Sequence, residues 1–225
     1  MRGVRAPPPR CYYGPVTTVC AFGYHDPEGA RHWVIREGLA AHGIETVECR
    51  TEARGLRAKI ADLRRKFSSI RCDALLVTFP GQYLMPLAWW LARRRKVPVV
   101  LDAFISVYGT MVDDRKLVSP LHPKAWLLFF LDWISCRLAD AVLIDTEEHK
   151  AYFAGTFGVP PEKFLVVPIG CRTDIFSPAS RGPEERDGFR AVFHGTFIPL
   201  QGIEAILDAA AILQRNGDAV SFELI

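Results

Sequence analysis

Apolar runs of strand length recur along the first three quarters of the chain, at Val16 to Phe22, Glu45 to Cys49, Ala74 to Phe79, Val97 to Asp102, Ala141 to Asp145 and Phe164 to Pro168. Between them the apolar residues fall at helical spacing, over about Ala30 to His42, Leu56 to Phe67, Leu84 to Arg95, Pro123 to Ala139 and Glu147 to Phe157. Strand and helix alternate, which predicts an α/β fold: a Rossmann-like parallel sheet with helices on both faces. Runs such as Ala74-Leu75-Leu76-Val77 and Val97-Pro98-Val99-Val100-Leu101 lack polar alternation, as strands covered on both sides do. The helix from Pro123 is predicted to face the core through Leu127, Phe130, Leu131, Ile134 and Leu138, with Asp132 and Arg137 elsewhere around its barrel.

Residues 177 to 188 are polar and rich in turn formers, which marks a linker. Beyond it the pattern resumes as strand (Ala191 to His194), helix (Gly202 to Arg215) and strand (Val220 to Ile225). That is one βαβ unit, which needs neighbours to close its sheet and cover its faces. The expected organisation is a loose leader over 1–15, a Rossmann-like domain over 16–177, a linker over 178–188 and the incomplete start of a second domain over 189–225.

Composition narrows this little. With 225 residues, 49% hydrophobic and 24% charged, the chain can bury one full core and part of another. A formal net charge of +3 names no partner. The six cysteines show no CxxC pair and no metal-ligand spacing with histidine, which fits structural thiols in a reducing, cytoplasmic setting. No apolar segment of signal-peptide length follows the basic, proline-rich first ten residues. The most apolar stretch, Trp126 to Ile134, is too short and too close to charge to cross a bilayer. Trp89-Trp90-Leu91-Ala92-Arg93-Arg94-Arg95-Lys96 has two readings: indoles and cations resting on an anionic membrane surface, or a core-facing helix whose basic end caps its own dipole. No stacking platform or recognition-helix pattern accompanies the basic run, so nucleic acid is not expected.

Ligands of open α/β sheets bind beyond the carboxyl ends of the strands, so the residues after each strand carry the most weight. Gly23 opens the first such loop, and a helix with unpaired N–H groups begins near Arg31, offering either an anion site or a plain tight turn. Gly81 and Gln82 open the helix after the third strand, where Gln82 and Tyr83 can bond sugar hydroxyls or simply face solvent. The fourth strand ends in Asp102, followed by Ser106, Tyr108, Gly109 and Thr110, a convergence of polar and aromatic groups suited to a carbohydrate. Asp102 is the best single candidate for orienting or deprotonating an acceptor hydroxyl, with a structural hydrogen bond as its alternative. Asp113-Asp114 lacks the intervening residue of a metal-binding aspartate motif and sits beside Arg115 and Lys116, so a salt-bridged loop is expected there.

The segments VVPIGCRTDIFSP and AVFHGTFIPLQGIEAILDAAAIL, with REGLAAHGIETVECR, FPGQYLMPLAWWLA, LDAFISVYGT and RLADAVLIDTEEHKAYF before them, resemble the retaining glycosyltransferases of GT-B fold known as group 1 or family 4. The likeness runs from about Val16 onward. It implies two facing nucleotide-binding-type domains, the first for a glycan or lipid-linked acceptor and the second for a nucleotide sugar, with no cofactor and no metal. By position it places Gly23, Arg31, Gly195, Thr196, Gln201 and Gly202 near the donor, and Gly81, Gln82, Ser106, Tyr108 and Thr110 near the acceptor. The chain departs from the family pattern in three places. Thr196 and Gln201 stand where many members carry Arg and Lys, and Asp102-Ala103-Phe104 where many place a histidine. The later glutamate segment that holds the family's donor falls beyond Ile225, so the chain is expected to be inactive alone. A non-catalytic glycan- or membrane-binding relative is the alternative; a dinucleotide enzyme is disfavoured because no G-x-G-x-x-G follows the first strand.

Overall fold

The computed structural model describes residues 16–176, 189–195, 197 and 201–225. In chain order its elements are β1 (Thr18–Gly23), α1 (Ala30–Ala41), β2 (Glu45–Arg50), α2 (Leu56–Ser69), β3 (Ala74–Val77), α3 (Met85–Arg95), β4 (Val99–Phe104), α4 (Pro123–Leu138), β5 (Ala141–Ile144), α5 (Glu147–Phe157), β6 (Phe164–Val166), β7 (Phe189–Phe193), α6 (Ile203–Asn216) and β8 (Val220–Leu224). Each predicted strand and helix is present, with ends shifted by a few residues. The first six strands form one sheet in the order β2-β1-β3-β4-β5-β6, parallel throughout. This is the predicted Rossmann-like α/β sheet. From β1 the chain goes to one side to build β2 and returns to the other to build β3, which makes the carboxyl ends of β1 and β3 a topological switch point.

Strands β1, β3 and β4 are buried because helices cover both sheet faces. On one side Phe22, Leu75, Val77, Val99 and Leu101 pack with Leu63, Phe67, Met85, Ala88 and Phe153; on the other Val19, Ala74 and Leu76 meet Ile35, Leu39 and Ile44. Phe67 of α2 sets its ring edge-on to Phe22, 6.0 Å between centroids, and Arg95 lies over its other side, 4.2 Å from the ring centroid. The basic end of α3 is therefore occupied. Arg95 donates to the carbonyls of Phe67, Ser68 and Ile70, Arg94 sits over Trp90 and Arg93 over Trp89, while both indoles pack against the core. Arg94 and Lys96 remain exposed to solvent.

Helix α4 is rotated from the predicted face, although Leu138 still packs against the core and Leu131 and Ile134 are half-buried. Its buried residues are Ala125, Leu128, Asp132, Ser135 and Cys136, whereas Leu127 is 64% and Phe130 54% exposed, as is neighbouring Trp126 at 68%. The apolar positions outnumber what one helical stripe can bury, so the pattern alone does not fix the rotation. A polar demand does. Asp132, fully buried, accepts through Oδ2 from Ser106 Oγ at 2.7 Å and from the Tyr108 N–H at 2.8 Å, so it ties α4 to the loop after β4.

The second sheet holds β7 and β8, parallel, with α6 between them. It is the expected βαβ unit. Phe189, Val192, Leu207 and Ile212 are exposed in it. The predicted linker and leader lie outside the described residues.

Two outcomes follow from the rotation of α4. Leu128→Ala costs about 2–5 kcal/mol of stability, the range for a buried leucine, while Phe130→Ser stays within about 0.5 kcal/mol, both read by urea unfolding. The reverse order restores the predicted face. The second concerns Asp132, whose burial lifts its pKa to about 6 against the pull of the Tyr108 N–H and Ser106. A folded pKa above the unfolded one gives stability that is complete below pH 4 and is lost as pH rises through 6. The wild-type minus Asp132→Asn difference in unfolding free energy should therefore fall by about 2–2.5 kcal/mol between pH 4 and pH 7; a flat difference refutes it.

Candidate functional site

The carboxyl edge of the sheet gathers side chains from loops far apart in sequence. Gly23 ends β1 beside Thr78, so close that a Cβ on Gly23 would lie 2.4 Å from Thr78 Oγ1. Gly81 is held more tightly still, since a Cβ there would meet the Thr78 carbonyl oxygen at 2.6 Å, and backbone cannot move aside. These two glycines let the β1 and β3 loops close on each other at the switch point.

Arg31 and Asp102, placed by sequence on the donor and acceptor sides, are brought together. Arg31 Nε donates to both carboxylate oxygens, at 2.8 and 3.0 Å, Nη2 donates to Oδ1 at 2.6 Å, and Nη1 reaches the Val167 carbonyl at 3.1 Å. Both side chains are largely buried. Burial lifts the Asp102 pKa, and Arg31 pulls the other way. The guanidinium also stacks on Phe104, 4.9 Å from its centroid. Phe104 holds φ at +55°, a left-handed conformation costly for an aromatic residue, and meets Phe79 edge-on at 5.1 Å. With both oxygens taken, Asp102 is a partner of Arg31 before it is a base.

The residues expected to face an acceptor mostly face the protein. Gln82 is buried, and its Nε2 donates to the carbonyls of Ala103 and Ile105 at 3.3 and 3.2 Å, clamping the end of β4, although its Oε1 has no partner among the described residues. Ser106 Oγ donates to Asp132 and accepts from the Gly109 N–H at 2.8 Å. Thr110 Oγ1 donates to the Ser106 carbonyl at 2.7 Å, and the Tyr108 ring packs edge-on against Phe129 and Phe157. The Asp113 carboxylate accepts from Tyr152 Oη at 2.7 Å. Of the far group, Gly195 and Gly202 lie at the end of β7 and the start of α6, and the Gln201 amide folds over Gly195. Thr196 lies outside the described residues.

Sequence reading missed two groups at the functional end. Asp145, buried at the end of β5, meets His149 Nδ1 at 2.6 Å, and the imidazole stands 43% exposed at its side chain. The i, i+4 spacing across a helix start was the available signal. The other group is His25, His32 and Glu48, drawn from the β1–α1 loop, the first turn of α1 and β2. Two cavities flank the sheet. The larger, about 710 Å³, lies at the amino ends of the strands around Thr17, Cys72 and Arg95. The smaller, about 420 Å³, lies at the carboxyl end between Tyr24, Arg50, Arg54 and Lys59, the end at which open α/β sheets bind ligands.

The family model described as "Glycosyl transferase 4-like domain" matches residues 15–170. No curated protein matches the chain. Among solved structures, one described as the glycotransferase of kitacinnamycin is similar at 12% identity with a TM-score of 0.43. The likeness covers 94% of this chain and 66% of that one, so the chain spans just under two thirds of that structure's length. The matched segment coincides with the six-stranded sheet and its carboxyl-edge loops, and the chain belongs to the glycosyl transferase 4-like domain family.

Proposed function

We propose that residues 16–177 form the acceptor-side domain of a metal-independent glycosyltransferase of GT-B type, and that residues 189–225 open its nucleotide-sugar domain. The observation that carries this reading is the family match over the one sheet whose switch point and polar loops share an edge. The reaction joins a hydroxyl of a glycan or lipid-linked acceptor to the anomeric carbon of a nucleotide sugar. The sugar–phosphate bond breaks, and the nucleoside diphosphate leaves. Asp102 acts there through Arg31, setting the loop that holds Phe104. The group best placed to receive the acceptor's proton is His149, whose Nδ1 is held by Asp145 while the rest of the ring reaches solvent. Ser106, Tyr108, Thr110 and Gln82 shape the acceptor loop from behind. Gly23, Gly195, Thr196, Gln201 and Gly202 lie near the donor diphosphate in this reading, with backbone N–H groups in place of the family's cations.

A second reading rests on the outward face of α4. Trp126, Leu127 and Phe130 are exposed there, with Leu117 and Leu121 in the preceding loop and the exposed cations Lys116, Lys124 and Arg137 close in sequence. That combination suits an anionic membrane surface. No helix among the described residues is long and apolar enough to cross a membrane.

The test incubates the protein with a panel of nucleotide sugars and a lipid-linked or glycan acceptor extract. Acceptor-dependent release of nucleotide, falling about 10²- to 10⁴-fold in His149→Ala, supports the reading and overturns the expectation that the chain is inactive alone. Absence of release from every donor contradicts catalysis by this chain. Flotation with anionic vesicles, lost in Trp126→Ser/Phe130→Ser, then selects the membrane-binding reading.

A further inference from the structure

We propose that His25, His32 and Glu48 bind a divalent transition metal, with zinc as the best fit. The three come from separate places: the loop after β1, the first turn of α1, and the edge strand β2. Their ligand atoms nevertheless lie within 4.8 Å of one another. His25 Nε2 stands 2.9 Å from Glu48 Oε2, and His32 Nε2 stands 2.7 Å from Oε1. Two imidazoles and a carboxylate are a common zinc donor set, and the nitrogen donors disfavour magnesium and calcium.

The surroundings fit an ion better than they fit a plain ion pair. Both rings are buried and stack with centroids 4.1 Å apart, an unfavourable arrangement for two imidazolium ions sharing one carboxylate. Thr78 Oγ1 lies 3.3 Å from the Phe22 carbonyl and 2.7 Å from His25 Nδ1. In the tautomer that donates from Nδ1 to Thr78, the Nε2 lone pair of His25 is free to take a metal, and the hydroxyl supplies the outer-shell support that metal-bound histidines need. His32 Nδ1 has no partner among the described residues.

Ligand atoms around tetrahedral zinc stand about 3.3 Å apart, given bonds of about 2.0–2.1 Å, so the carboxylate must draw back by about half an ångström from each ring, and the three ligand atoms, within 4.8 Å of one another, must settle to that spacing. Glu48 can move, since its side chain is 37% exposed. The exposed side of Glu48 leaves a fourth position for water. An ion there would clamp the β1–α1 loop to β2, next to the turn that presents Arg31. Its role is to hold that loop, and the glycosyl transfer proposed above does not pass through it.

The test uses the whole chain freed of metal by a chelator, then titrated with zinc by calorimetry against a competing chromophoric chelator. One equivalent is expected to bind, with a rise in Tm, and affinity should fall as pH drops, because the ring nitrogens bind a metal only when unprotonated. His25→Ala and His32→Ala should each weaken binding at least 10-fold. Because those variants disturb buried positions, Glu48→Gln provides a partly exposed control that keeps the shape and should weaken binding to a similar degree. Cobalt in place of zinc should show ligand-field bands without the near-ultraviolet thiolate charge-transfer band that Cys20, Cys49 or Cys72 would give. No saturable binding, binding unchanged in Glu48→Gln, or a thiolate band each overturns the proposal.

Discussion

The ion pair between Arg31 and Asp102 fixes the geometry on which the functional edge depends. A cation in the first turn of α1 opposes the helix dipole, and a carboxylate at the end of a covered strand opposes its own desolvation. Neither residue suits its element alone. Together they satisfy each other through three short N–H···O contacts, and the remaining arm of Arg31 reaches Val167 just past β6. One guanidinium thus joins the ends of β4 and β6 to the start of α1. The same group lies over Phe104, whose left-handed backbone would be hard to sustain without surrounding contacts to hold it.

Around that pair the loop after β4 is built from inside. Asp132 holds Ser106 and the Tyr108 N–H, Ser106 holds Gly109 and Thr110, and Gln82 clamps the carbonyls of Ala103 and Ile105. A polar network of this kind positions the loop, with Tyr108 and Thr110 half-buried on it. What the edge does offer is the His149 imidazole backed by Asp145 and the cavity of Arg50, Arg54, Lys59 and Glu52, where Glu52 pairs with Arg50. Membership of the glycosyl transferase 4-like family gives these groups a chemical setting.

Strands and helices were legible because their periodicities differ. Uniform apolar runs such as Ala74-Leu75-Leu76-Val77 admit only a covered strand, and the turn residues between runs delimit them. The rotation of α4 was not legible. Trp126 through Ile134 is apolar nearly all round, and its one acid reads as a solvent-facing residue until partners 24 and 26 positions away are known. Asp102 was singled out as the best candidate for orienting or deprotonating an acceptor hydroxyl, with a structural hydrogen bond as its alternative, but its partner stands 71 residues earlier. The same holds for Ser106, Tyr108, Thr110 and Gln82: their types were noticed, yet the partners that hold them, the Asp132 carboxylate for Ser106 and the Tyr108 N–H, and backbone carbonyls for Thr110 and Gln82, leave no trace in residue identity. His25, His32 and Glu48 went unremarked for the same reason, since no spacing rule joins a loop, a helix start and an edge strand.

The coupling between Arg31 and Asp102 is the most direct test. In a double-mutant cycle of Arg31→Met and Asp102→Leu, followed by urea unfolding, each single substitution leaves a charge buried and unpaired. Each should cost about 3–5 kcal/mol, and the double variant should lose no more than either single one, a coupling of at least about 3 kcal/mol. Additive losses would show that the two side chains act independently and that the edge is organised by something else.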